Sequence, residues 1–176
     1  MKKITVALSA FLALFIISCE GPQGVPGFDG LDAPLSKVIE IEGDFTTGND
    51  YNLFYEFESD IEVFETDIVL VYILFEQTQD NNGDSVDVWR LLPQTRILNQ
   101  GLLQYNFDHT FLDVNIFLES DFDLGTLTAG DTDNQIFRIA VIPAENTGKS
   151  SLDISNLDAV LNSLNVNEED IRRIQL

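Results

Sequence analysis

Cysteine, histidine, methionine and tryptophan occur once each in this chain of 176 residues, and nine basic side chains stand against thirty acidic ones. One cysteine excludes an internal disulfide, a CxxC redox or metal motif and a cysteine zinc cluster. One histidine means that any catalytic triad or imidazole metal centre must use His109. The shortage of positive charge excludes nucleic acid as a partner, because an acidic surface repels phosphate backbones and anionic lipid heads alike. The simplest role of such acidity is solubility.

Two of the nine basic residues, Lys2 and Lys3, lie at the extreme N-terminus, ahead of an uncharged run of fourteen residues from Ile4 to Ile17. At about 1.5 Å per residue that run falls short of the roughly 30 Å hydrocarbon core, so it does not span a bilayer. A positive start, a short apolar run and the small Ser18 are the anatomy of a secretory signal peptide over residues 1 to 18. Its removal leaves seven basic residues against thirty acidic ones, a net charge of about −23. The run ends in Ile16-Ile17-Ser18-Cys19, which resembles the lipobox of bacterial lipoproteins. That resemblance implies cleavage before Cys19, a diacylglycerol on its thiol and an acylated new amino terminus. With each buried methylene contributing roughly 0.8 kcal/mol, two or three acyl chains hold a protein to the membrane for practical purposes permanently.

Gly21, Gly24, Gly27 and Gly30 follow in register, marking the triplets GPQ, GVP, GFD and GLD. The pattern resembles the short collagen-like segment behind the lipid cysteine in some lipoproteins of gram-negative bacteria. Phe28 and Leu31 stand where collagen favours proline, and the register stops at Ala33-Pro34. We therefore read residues 19 to 35 as an extended Pro/Gly tether rather than a trimerising stalk, and expect a monomer. Seventeen residues from Cys19 to Leu35, at about 3.1 Å each, reach roughly 50 Å, which holds a domain clear of the lipid surface.

From Ser36 the pattern changes to a period of two. "YNLFYEFE" places Tyr51, Leu53, Tyr55 and Phe57 on one face and Asn52, Phe54, Glu56 and Glu58 on the other. "LLQYNFDH" does the same with Leu103, Tyr105 and Phe107. Further strands are predicted at Val38 to Phe45, Ile68 to Phe75, Val86 to Leu91, Val114 to Leu118 and Ile136 to Ile142, the last with Phe137, Ile139 and Val141 inward. "IVLVYILF" is apolar throughout and predicts a strand covered on both faces. About seven strands with turns such as Asn82-Gly83 predict a mainly β domain over residues 36 to 176, an antiparallel β-sandwich or jelly-roll-like fold. Leu157, Val160, Leu161 and Leu164 recur at helical spacing, with Ser155 and Asp158 resembling a capping box, so a short C-terminal helix is expected at about 156 to 164. Asn167 is expected to cap a last helical turn carrying Ile171, Arg172, Arg173 and Ile174. The stretch "VWRLLPQT…LQYNFDHT…DVNIFLESDFDL…QIFRIAVIPA" is similar to an uncharacterised β domain carried by collagen-like lipoproteins. It implies location and architecture and brings no catalytic motif.

Chemistry is sparse. His109 falls in phase with Leu103, Tyr105 and Phe107 at a strand end, with no GxSxG or HExxH frame around it. Asp80, Asn82 and Asp84 alternate as calcium ligands often do, but Ser85 and Leu91 stand where an EF-hand loop needs glycine and glutamate, so a hairpin turn is the preferred reading. The pairs Asp121/Asp123 and Asp131/Asp133 are read the same way. Trp89 alternates with Val88 and Arg90, which leaves its face undecided with a core role preferred over an exposed platform, while Phe54 and Phe117 fall on the outer phase of their strands.

The expectation from sequence is thus a non-enzymatic protein of the bacterial cell envelope, held at the outer membrane by lipid on Cys19, with no cofactor. Its acidic domain would have a structural or binding duty toward an envelope protein or a glycan. A glycan-binding or glycan-processing role would require an exposed aromatic beside a groove lined by two carboxylates. A calcium-dependent adhesion module is the third reading.

Overall fold

The first strand, β1 (Val38–Gly43), shows how the domain is built: Ile39 and Ile41 point to one buried layer, whereas Val38 and Glu40 face a second. The computed structural model describes residues 38–144 and 152–176. The expected signal peptide, Cys19 and the tether to residue 35 lie outside the described residues. The remaining strands are β2 (Asn52–Glu56), β3 (Ile68–Gln79), β4 (Ser85–Leu91), β5 (Gln94–Leu98), β6 (Gly101–His109), β7 (Asp113–Ser120), β8 (Gln135–Ile142) and β9 (Arg172–Gln175). They form a β-sandwich of a five-stranded sheet, ordered β4-β3-β8-β1-β9, and a four-stranded sheet, ordered β2-β7-β6-β5. All pairings are antiparallel except β1 with β9.

Period-two alternation decides what lies between the sheets. Leu53 and Tyr55 from β2, Leu103 and Tyr105 from β6, and Val114, Ile116 and Leu118 from β7 meet Ile39, Ile41, Val71, Ile73, Phe137 and Ile139 from the facing sheet. Burying each such side chain contributes roughly 1.5–3 kcal/mol. Phe45, just past β1, closes one end with edge-on contacts to Tyr105 and Phe137. The run "IVLVYILF" is an interior strand covered on both sides: Val69, Val71 and Ile73 serve the inter-sheet core, while Leu70 and Tyr72 serve the opposite face.

That opposite face is covered by the helix Leu157–Leu164, whose Leu157, Val160 and Leu161 pack on Val38, Leu70, Tyr72, Ala140 and Ile142. The expected capping box is displaced. Asn156, not Ser155, is the cap, accepting from the Ala159 N–H at 3.1 Å, while the Ser155 hydroxyl turns back to Asp153.

Residues 172–175 are a strand rather than a helical turn. Asn167 does cap a short 3-10 turn, but it ends at Asp170. Beyond it Arg172 to Gln175 pair with Ile39 to Glu42. Period two then sends Ile174 to the inter-sheet core and Ile171 and Arg173 to the helix-covered face. Strand β5 is not expected from the sequence pattern, because "QTRIL" presents Ile97 to solvent and turns Arg96 under the rings of Phe75 and Tyr105, the reverse of an apolar-in alternation.

Candidate functional site

Glu40, Arg138 and Arg173 share one row of the helix-covered face, because the register places Glu40 opposite Arg138 on one side and Arg173 on the other. Arg138 is 2% exposed. Its Nε donates to Glu40 at 2.9 Å, and its two terminal nitrogens grip the Glu168 carboxylate at 2.7 Å each. Arg173 reaches the other Glu40 oxygen at 2.9 Å. Burial opposes the Arg138 charge, but the hydrogen bonds from the two glutamates more than offset it, raising its pKa above the ordinary guanidinium value. The Arg138 guanidinium also lies 4.1 Å from the centre of the Trp89 ring.

Trp89 is therefore half-buried rather than sealed in the core, and it lines a cavity of about 360 Å³ between β4 and the segment entering the helix. Asp87 lies on the same face of β4; Asp153, Ser155, Asn156, Leu157 and Asp158 form the other wall. That wall is pinned to the sheet by Tyr72, whose hydroxyl donates to the Ile154 carbonyl at 2.6 Å. Burial, with the nearby Asp153 charge, pushes the Tyr72 phenol well above its usual pKa, so it stays a donor. Asp153 accepts from both the Ser155 hydroxyl, 2.6 Å, and the Ser155 N–H, 3.0 Å, which holds its carboxyl below the usual pKa. Asp87 accepts from Gln77 Nε2 at 2.7 Å through one oxygen. The arrangement is an aromatic ring beside the carboxylates of Asp87, Asp153 and Asp158. An acid catalyst for glycoside cleavage needs a carboxyl with a raised pKa, and Asp153 is shifted the other way.

The other residues singled out from sequence are scattered. His109 is exposed at the end of β6, stacked on Phe107 with ring centres 6.2 Å apart, and lines a separate cavity of about 210 Å³ with Val63, Phe64 and Phe111. Phe54, 58% exposed, and Phe117 lie on the solvent face of the four-stranded sheet, amid Asn52, Asn106 and Asn115. Asp80 closes the β3–β4 hairpin: one carboxylate oxygen accepts from the N–H groups of Asn82, 2.8 Å, and Asp84, 2.9 Å, with Gly83 at φ +90°. Asn82 and Asp84 belong to that turn. Asp121 accepts from Leu102 N–H, and Asp123 caps the turn Leu124–Thr126. Asp131 pairs with Arg96 at 3.2 Å, and Asp133 accepts from Thr132. Among the described residues no group of three His, Cys, Asp or Glu side chains is placed to hold a metal ion.

Sequence reasoning missed Arg138, Glu40 and Asp153. One signal was present: in "QIFRIAVI" a single charge interrupts an otherwise apolar strand, and a buried arginine requires acidic partners. Comparison with models of known protein families, with curated proteins and with solved structures returns no match.

Proposed function

We propose that this chain is a lipid-anchored protein of a bacterial cell envelope, tethered through Cys19 at the outer membrane, whose acidic β-sandwich serves a binding rather than a catalytic role. The observation that carries the binding role is the Trp89 groove, where an aromatic ring lies beside carboxylates held as acceptors. The anchor rests on the order of Lys2-Lys3, the short apolar run and Ile16-Ile17-Ser18-Cys19. Cys19→Ala, expressed in a gram-negative host, should move the protein from the membrane pellet to the soluble periplasmic fraction and abolish incorporation of labelled fatty acid. Retention in the membrane after salt and carbonate washes would overturn the anchor.

A second reading, that the ligand is a glycan, is favoured by Trp89 itself. A flat indole offers its face to sugar C–H groups while carboxylates, Ser155 and Asn156 supply hydrogen bonds to hydroxyls.

A further inference from the structure

We infer that Asn82-Gly83, at the tip of the β3–β4 hairpin, is a site of spontaneous deamidation that Asp80 restrains, and that its conversion opens the turn.

Every other asparagine of the chain precedes a residue that has a side chain; Asn82 alone precedes glycine. The order matters because the main-chain nitrogen after an asparagine can attack the side-chain carbonyl carbon, and glycine leaves that approach free of a Cβ. The bond from the Gly83 nitrogen to Asn82 Cγ forms, the Cγ–Nδ2 bond breaks, and the proton of the Gly83 nitrogen departs with Nδ2 as ammonia. Water then opens either carbonyl of the cyclic imide, giving aspartate or isoaspartate at position 82. Water is the one co-reactant, and nothing is oxidised or reduced. Asn82 and Gly83 are exposed, and nothing lies within 4 Å of where a Gly83 Cβ would stand, so the ring has room to close.

Asp80 holds both reacting groups. Its carbonyl accepts from the Gly83 N–H at 3.1 Å, which ties up the attacking nitrogen. One carboxylate oxygen accepts from the Asn82 and Asp84 N–H groups at 2.8 and 2.9 Å, and the other accepts from Asn82 Nδ2, the leaving nitrogen, at 3.2 Å. The Asp80 N–H closes the turn on the Asp84 carbonyl at 2.9 Å. Conversion reverses the side-chain contact. Aspartate puts an acceptor where a donor stood, so two carboxylates face each other across a gap that a hydrogen bond now spans. Isoaspartate runs the main chain through the side-chain carbon, one methylene longer, which carries Gly83 away from the Asp80 carbonyl. Each product removes part of the closure.

The experiment stores the full chain, purified in detergent, at mildly alkaline pH and physiological temperature, and follows each asparagine-containing peptide by mass spectrometry with an enzymatic isoaspartate label. The Asn82 peptide should convert several-fold faster than those of Asn106 and Asn115, and Asn82→Gln should abolish the signal there. Asp80→Ala, an exposed position that leaves the sandwich intact by circular dichroism, should convert several-fold faster than the parent chain, as should the parent chain unfolded in urea. Aged protein and Asn82→Asp should both exchange the Asp80 and Asp84 amide hydrogens several-fold faster than fresh protein. Conversion at Asn82 no faster than at Asn106 and Asn115 would overturn the site. Equal rates in the parent chain, Asp80→Ala and urea would overturn the restraint, and unchanged exchange after conversion would overturn the opening.

Discussion

Trp89 and Arg138 stack at 4.1 Å on the helix-covered face of the five-stranded sheet, and this contact joins the one buried arginine to the wall of the groove. The guanidinium gains acceptors on both sides from Glu40 and Glu168, so it is retained as a charge in a mostly apolar setting. The same contact orients the indole. Stability and site geometry therefore depend on a single side chain.

Replacing Arg138 with alanine should cost about 3–5 kcal/mol, because Glu40 is left with a buried carboxylate facing only Arg173. Glu168→Gln should cost about 1 kcal/mol or less, since the Glu168 side chain is 61% exposed and water replaces the lost partner. Urea denaturation of the two variants measures the difference; equal losses would show that the network does not depend on burial.

Alkaline pH should unfold the domain through its tyrosines. Burial raises the pKa of Tyr55 and Tyr72, and pushes Tyr105 up to about 12, with the Tyr105 hydroxyl donating to the Asp131 carbonyl at 2.8 Å. A folded-state pKa above the unfolded value of about 10 means that this stability is fully present below pH 10 and is lost as pH rises toward 12 and beyond. Absorbance at tyrosinate wavelengths should therefore rise for these three residues together with loss of the β signal in circular dichroism. Smooth ionisation near pH 10 with the fold intact would contradict the burial.

Gly101→Ala should destabilise the β5–β6 hairpin by roughly 1–3 kcal/mol. Gly101 has φ +148°, and a Cβ there would overlap Asp121 Oδ1, the acceptor of the Leu102 N–H, and approach Phe122. Thermal denaturation tests it, and Gly83→Ala is the comparison: Gly83 at φ +90° has open space around it, so only backbone strain is paid.

Calcium should leave the melting temperature unchanged. The Asp80 carboxylate is aimed into its own hairpin, where bonds from Asp84, Asn82 and Gly83 N–H groups lower its pKa. The turn should loosen only as pH falls below about 4, through the depressed folded-state pKa. A rise in melting temperature with calcium but not magnesium would mean that these oxygens turn outward to a metal.

Local sequence was enough wherever one face of an element had to be covered. The alternation of Leu53 and Tyr55 with Phe54, the unbroken "IVLVYILF" and the spacing of Leu157, Val160 and Leu161 each specify an element, because period decides which side chains can share a face. It was not enough where a distant strand supplied the reason. "RRIQ" is a strand because β1 offers it a parallel edge and Glu40 an ion pair; its own period over four residues is equally good as a helix end. Trp89 could not be sided from Val88 and Arg90. Its exposure depends on Arg138, brought beside it by sheet order, and on the wall that Tyr72 fastens over β3 through Ile154. The groove is thus a product of tertiary structure alone: strand order and helix docking, set by burial of two separate apolar faces, bring together residues that carry no common pattern along the chain.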